Sequence, residues 1–390
     1  MLRETTSTKF GERRDAVAPL PNDRQVNIGD RRKRPRSGTE PLPHMRALKQ
    51  LYRSAISTFD VPKLLGNSDD GVIFMLHRFP DPDMANEASH EIEAIRAMLG
   101  YLRRRKFELV PLTTLFDRAA TGEPLNGAVA FTIDDGYLDH ATIGARLFAE
   151  YDCPATTFLT SGFLDGALWF WWDKIEFVFR HARRRSFDVI IGPNAPAMAF
   201  SWNTDTERAK WLDAVIETCK RIPDAVKHEA IARLAAAAEV DLPAKVPSEY
   251  APMAWADARR CEQSGMTFGP HTVTHPILAQ TPDAQSAFEI EESWRRLSSE
   301  VSRPVPVFCY PNGQVDDFGD RETKTIGRIG LRGAVVGSPG YATGEDIRGE
   351  RSRFRVQRFG MPGNMDGLAN MIQFVTGLER IKLRARGGRS

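Results

Sequence analysis

Two neighbouring carboxylates, Asp134 and Asp135, stand where an apolar run over residues 128–133 stops, and Gly136 follows them. Like charges side by side in a pocket disfavour each other's ionised form. A fold that buries both must neutralise at least one, and a bound cation is the simplest means. Further along, His271-Thr272-Val273-Thr274-His275 offers two imidazoles four positions apart, a spacing that sets two ring nitrogens on one side of a helical turn or curled loop. One carboxylate and two imidazoles make a three-ligand site with open positions, which suits metal-assisted hydrolysis. Taken alone, Asp-Asp-Gly after a strand also reads as a turn with a capping aspartate, and His-x-x-x-His as a coincidence among eight histidines. Their conjunction with Met75-Leu76-His77 and Tyr310-Pro311-Asn312-Gly313 favours the chemical reading. The same ligand trio serves non-haem iron oxygenases, but those have no need of a second adjacent aspartate.

Such residues need strand ends to carry them. Residues 72–76 are an unbroken apolar run, the pattern of a strand buried on both faces, and it ends at His77. Residues 91–106 place Ile92, Ile95, Leu99 and Leu102 on one stripe, which predicts a covering helix. A helix over 139–151 and a short strand over 155–159 follow the Asp-Asp strand. This βα alternation implies a parallel sheet or barrel whose C-terminal strand ends carry function.

Residues 163–250 break the rhythm. Helices are expected over 208–221, with Trp211, Leu212, Val215, Ile216 and Cys219 on one face, and over 224–240, capped by Asp224. The stretch reads as a helical insertion. It opens with Trp169, Trp171 and Trp172, either its core or a platform on which sugar rings stack, with Trp169 and Trp172 as the contacts. The alternation resumes with a helix over 256–264 and a strand over 266–268 that ends in the two histidines, bracketed by Pro270 and Pro276. A helix from Thr281 with Phe288, Glu291, Trp294, Leu297 and Val301 at spacings of three and four comes next, then a strand over 305–309. The last strands are expected at 334–336 and 354–356.

The chain has 390 residues, 42% of them hydrophobic, enough for a large core, and a formal net charge of +2, which gives no basic field suited to nucleic acid. Its four cysteines are widely spaced with no Cys-x-x-Cys, so reduced thiols are expected rather than a zinc ribbon or disulfide framework. Residues 1–44 are rich in arginine and proline without a signal-peptide core, no run of about 18 apolar residues occurs, and a cytoplasmic protein is expected. The expected organisation is a disordered basic arm 1–44, a first catalytic part 45–162 that begins with a helix over 45–59, the insertion 163–250, a second catalytic part 251–380 and a basic tail 381–390.

Thr132-Ile133-Asp134-Asp135-Gly136 and His271-Thr272-Val273-Thr274-His275, in this order, resemble the first two motifs of the polysaccharide deacetylases, carbohydrate esterase family 4, the NodB-homology domain. The resemblance spans roughly residues 70–162 and 250–360. It implies an α/β fold, a distorted TIM-like (β/α) barrel, and a metal-dependent hydrolase that removes N-acetyl groups from an N-acetylated sugar, oligosaccharide or polysaccharide. O-acetyl ester cleavage and a non-catalytic saccharide-binding role are the alternatives. By the same resemblance Asp135, His271 and His275 bind a divalent ion, zinc first and cobalt or nickel next, and Asp134 is the general base. The family's late Leu-x-His motif is missing, and Leu76-His77 resembles the N-terminal form of rearranged members, which makes His77 the general acid. The family's third motif, Arg-x-Pro-Tyr, reads here Cys309-Tyr310-Pro311-Asn312, so its arginine is absent. Arg358 is a candidate to replace that charge, and the Asn312 N–H in the Tyr310, Pro311, Asn312 loop is a candidate oxyanion donor. The partner expected is carbohydrate, with no nucleic acid and no integral membrane segment.

Overall fold

The computed structural model describes residues 63–65, 68–79, 90–192 and 195–381. The arm 1–44, the helix expected over 45–59 and the tail beyond residue 381 lie outside them. Among the described residues the strands are β1 (Asp70–Leu76), β2 (Val129–Asp135), β3 (Ala155–Leu159), β4 (Ser186–Val189), β5 (Met198–Ser201), β6 (Met266–Pro270), β7 (Val307–Cys309), β8 (Gly333–Val335), β9 (Ala342–Thr343) and β10 (Phe359–Gly360).

A parallel ladder runs in the order β10-β1-β2-β3-β6, with β9 antiparallel on β1, and β7 pairs with β8 as a separate parallel ribbon. Every residue of β2 and β3 is buried, as expected of strands covered on both faces. Among the described residues no continuous ladder closes a barrel. Single bridges, Phe268 to Pro304 and Val335 to Val356, join the ribbon to the sheet on either side. The last strand differs from expectation: Phe354 belongs to a 3-10 turn, Ser352–Phe354, because its ring packs into the cluster with Phe308 and Ile326, and only Val356 bridges.

Helices Ile92–Arg104 and Leu112–Thr121 carry the chain from β1 to β2. The next crossover begins with a π turn, His140–Gly144, before the α-helical Ala145–Ala149. Between β3 and β6 lie the helices Trp171–His181, Asp205–Cys219 and Asp224–Ala237, around a core of their own that includes Ile175, Phe179, Val215 and Leu234. This segment is not wholly helical. β4 and β5 form an antiparallel hairpin in it, with Phe187 and Val189 turned inward at a period of two. Asp224 is the first helical residue rather than the cap, which is Pro223, and its carboxylate takes the buried Lys227 ammonium at 2.5 Å. The four cysteines are free and buried. Among the described residues no helix is long and apolar enough to cross a membrane.

Close backbone approach holds β6 against β3 and β7. A Cβ on Gly269 would stand 2.6 Å from the Phe158 ring and 3.1 Å from the Val307 carbonyl oxygen. Gly269→Ala is therefore expected to cost about 1–3 kcal/mol by overpacking, read as a lower urea midpoint at unchanged slope.

Candidate metal centre

Parallel strands put their C-terminal ends on one edge. β1 delivers His77, β2 delivers Asp134 and Asp135, β6 delivers His271, and β7 delivers Tyr310. Register ties them together: Leu159 pairs with Pro270, and the His271 N–H donates to the Leu159 carbonyl at 3.0 Å. Side chains of a regular strand alternate, so adjacent aspartates ought to diverge. Asp135 breaks the pleat with φ of 90°, and an oxygen of each carboxylate lies within 4.8 Å of a His271 nitrogen. Gly136 follows at φ of 100°, where a Cβ would stand 2.8 Å from the Leu164 side chain.

Three donor atoms converge. His271 Nε2 lies 3.5 Å and His275 Nε2 3.3 Å from Asp135 Oδ1, and the two nitrogens are 3.1 Å apart. A cation about 2.0–2.1 Å from each of three tetrahedral donors would space them about 3.3–3.4 Å apart, so the set fits a zinc-sized ion. The ring orientation fits as well: His271 Nδ1–H donates to the Cys309 carbonyl at 2.7 Å, which leaves Nε2 facing Asp135. Burial would raise the Asp135 carboxyl, but hydrogen bonds from His271 and His275 hold it well below the usual aspartate range. Burial lowers His275 against the pull of Asp135.

Asp134 has a different partner. Arg358, fully buried, meets it fork to fork, Nη1 to Oδ1 and Nη2 to Oδ2 both at 2.8 Å. The same guanidinium donates to Thr132 Oγ1 at 2.9 Å and to the Val336 carbonyl at 3.1 Å, and touches Cys309 Sγ at 3.2 Å. Burial works against the ionised carboxylate, yet the charge and hydrogen bonds of Arg358 bring its pKa below the ordinary value. Asp134, His271 and Cys309 also cluster closely enough to be considered as ligands. That set is unsuitable, because both Asp134 oxygens are engaged by a cation and burial pushes the Cys309 thiol up.

His77 is half-buried. Its main chain is gripped on both sides: the N–H donates to His90 Nε2 at 3.4 Å, and the carbonyl accepts from His140 Nε2. Burial, with His77 beside it, pushes His90 down to about 4, so at neutral pH it is the acceptor this bond needs.

Residues 228–329 match the family model described as polysaccharide deacetylase, a span that includes both histidines and the Tyr310 loop. The chain thus contains a segment similar to the polysaccharide deacetylases. It matches no curated protein sequence. Its fold is similar to that of the Streptococcus pyogenes deacetylase PplD, solved in complex with acetate, at 14% identity, with 78% of this chain and 96% of that one covered and a TM-score of 0.50. IcaB from Ammonifex degensii is similar at 12% identity over 79% of this chain and 98% of that one, with a TM-score of 0.47.

The aromatic residues around the site divide. Trp172 is half-buried, stacked on Phe170 at 4.3 Å, with its ring 4.6 Å from His275 and its indole N–H on the Tyr137 hydroxyl at 3.1 Å, which in turn donates to Asp173 at 2.8 Å. It forms one wall of the site. Trp169 does not. It is 6% exposed and packs against Phe177 and Tyr250 in the core of the segment.

Tyr310 is buried and stacks on Phe318 at 3.7 Å, and Pro311 is buried beside it. Asn312 adopts φ of 59° and donates from Nδ2 to Asp317 at 2.5 Å, while its main-chain N–H has no acceptor among the described residues. His90 and His140 were missed by sequence reasoning, since each is a lone histidine with no spacing to mark it.

Arg358→Met would leave Asp134 buried without its counter-charge and is expected to cost about 3–5 kcal/mol in urea unfolding. Trp169→Ala is expected to cost about 3–5 kcal/mol as well, while the purified variant keeps the metal content of the unaltered protein.

Proposed function

We propose that this chain is a metal-dependent hydrolase that removes acetyl groups from an N-acetylated sugar, oligosaccharide or polysaccharide. The observation that carries the reading is the convergence of Asp135, His271 and His275 on one point beside an ionised Asp134 held by Arg358. These three residues would hold a divalent cation, zinc by its donor set, with cobalt and nickel as substitutes. Such an ion polarises the acetyl carbonyl and makes bound water a nucleophile at neutral pH.

The chain's own residues divide the remaining work. Asp134 accepts the proton of the attacking water. Arg358 occupies one lone pair on each Asp134 oxygen and keeps the carboxylate charged while other lone pairs stay open. His77 gives a proton to the amine nitrogen as the C–N bond breaks, so acetate and a free amine leave. The Asn312 N–H faces no competing acceptor and is suited to the charge that develops on the acetyl oxygen. Trp172 and Phe170 screen His275 from water.

Elemental analysis is expected to find about one divalent ion per chain, lost in Asp135→Ala and His275→Ala. Asp134→Asn and His77→Ala should keep the ion and lower kcat for acetate release from N-acetylglucosamine oligosaccharides by about 10²- to 10⁴-fold. Absence of metal after reconstitution with zinc, cobalt or nickel would overturn the hydrolase and favour a saccharide-binding role. Cleavage of acetyl esters without acetamides would make the protein an O-acetyl esterase.

A further inference from the structure

The loop 271–275 that presents both histidine ligands is not shaped by its own residues alone. Thr272 and His275 take positive φ values of 66° and 58°, a conformation that a β-branched residue seldom enters. Buried backbone groups must be paired, and the pairs on the carbonyl side come from the turn after β3. The Thr160 hydroxyl donates to the His271 carbonyl at 3.0 Å, the Ser161 N–H to Thr272 at 3.1 Å, and the Gly162 N–H to Val273 at 2.9 Å. On the other side stands one side chain, Glu289, from the helix Asp283–Glu300. Its Oε2 accepts the N–H groups of Val273 and Thr274, both at 2.8 Å, and its Oε1 accepts the Thr274 hydroxyl at 2.5 Å. It is 2% exposed. Two successive N–H groups after a left-handed residue form a concave anion seat, and here the anion is supplied from within the fold.

We propose that Glu289 is a positioning residue for the metal centre, fixing the curl of the 271–275 loop and through it the affinity of the His271 and His275 pair for the cation. This rests on the metal-dependent reading above. Without the carboxylate, two buried N–H groups lose their acceptor and the loop is held only by its carbonyl-side bonds and the His275 N–H on Thr272 Oγ1, so the spacing of the imidazoles is no longer fixed from both sides. The charge of Glu289 is not itself required: an amide oxygen can take both N–H groups while its NH₂ serves the Thr274 hydroxyl.

The test is zinc affinity of the full-length protein, measured by competition with a chromogenic chelator, beside the thermal midpoint of each zinc-free variant. Glu289→Asp keeps the charge but withdraws it by one methylene, and Glu289→Ala removes it. Both are expected to bind zinc 10- to 100-fold more weakly, and Glu289→Gln is expected to stay within about threefold of the unaltered protein. A folded Glu289→Asp variant with unaltered zinc affinity would overturn the proposal, as would a lower midpoint with no change in affinity, the mark of a purely structural role. Glu289→Asp decides the matter if Glu289→Ala does not fold. If the unaltered protein itself binds no zinc, the metal-dependent reading fails first, and the proposal with it.

Discussion

The bidentate pair between Arg358 and Asp134 lies at the C-terminal edge of the parallel sheet, where neither charge reaches bulk water. A buried ion pair of this kind adds little net stability, because desolvation offsets most of the attraction. Its value lies in telling two adjacent carboxylates apart. Asp134 has a permanent cation from the protein, so the demand for a second positive charge falls wholly on Asp135 and the two imidazoles. Cys309 makes room for this arrangement: its sulfur stands 3.2 Å from the guanidinium, at the position where the resemblance places an arginine. Two guanidiniums there would compete for one carboxylate, and the chain supplies the charge from Arg358 instead.

The other constraint is backbone strain. Asp135, Thr272, His275 and Asn312 all have positive φ, and all four lie in or beside the site. Each such residue costs on the order of 1–3 kcal/mol and persists only where its surroundings over-determine it. Here those surroundings are rigid: β2 brings the chain to the edge fully buried and β6 all but Thr267, Thr160 to Gly162 and Glu289 brace one loop, and Asp317 braces another. Strain is thus confined to the residues that need an unusual direction, while the strands beneath stay regular.

Much of this was legible in the sequence where a pattern and a chemical type coincided. The apolar runs into His77 and Asp134, and the two histidines after residues 266–268, marked strand ends that the structure brings to one edge. Arg358 was legible only as one arginine among several, since nothing local marks a residue whose partner is on another strand. Trp169 stayed open because an indole at the mouth of an insertion and one in its core have the same sequence signature, and only packing, here against Phe177 and Tyr250, separates them. The helix Asp283–Glu300 faces inward with Ser286, Glu289, Ile290 and Ser293, while Phe288 is 55% exposed. A stripe drawn through hydrophobic residues passes beside that polar face and misses the carboxylate that matters.

The partners of Asp134 also stand far apart in time. Arg358 lies 224 residues downstream of it, and a ribosome adds roughly 5–20 residues per second, so the guanidinium emerges roughly 10–45 s after the carboxylate. Through that interval β1, β2 and β3 can assemble, but their edge carries a carboxylate with no counter-charge. The nascent chain therefore has a reason to keep that edge hydrated until its last strands arrive, and the reactive centre is the part of the domain completed at the end of synthesis.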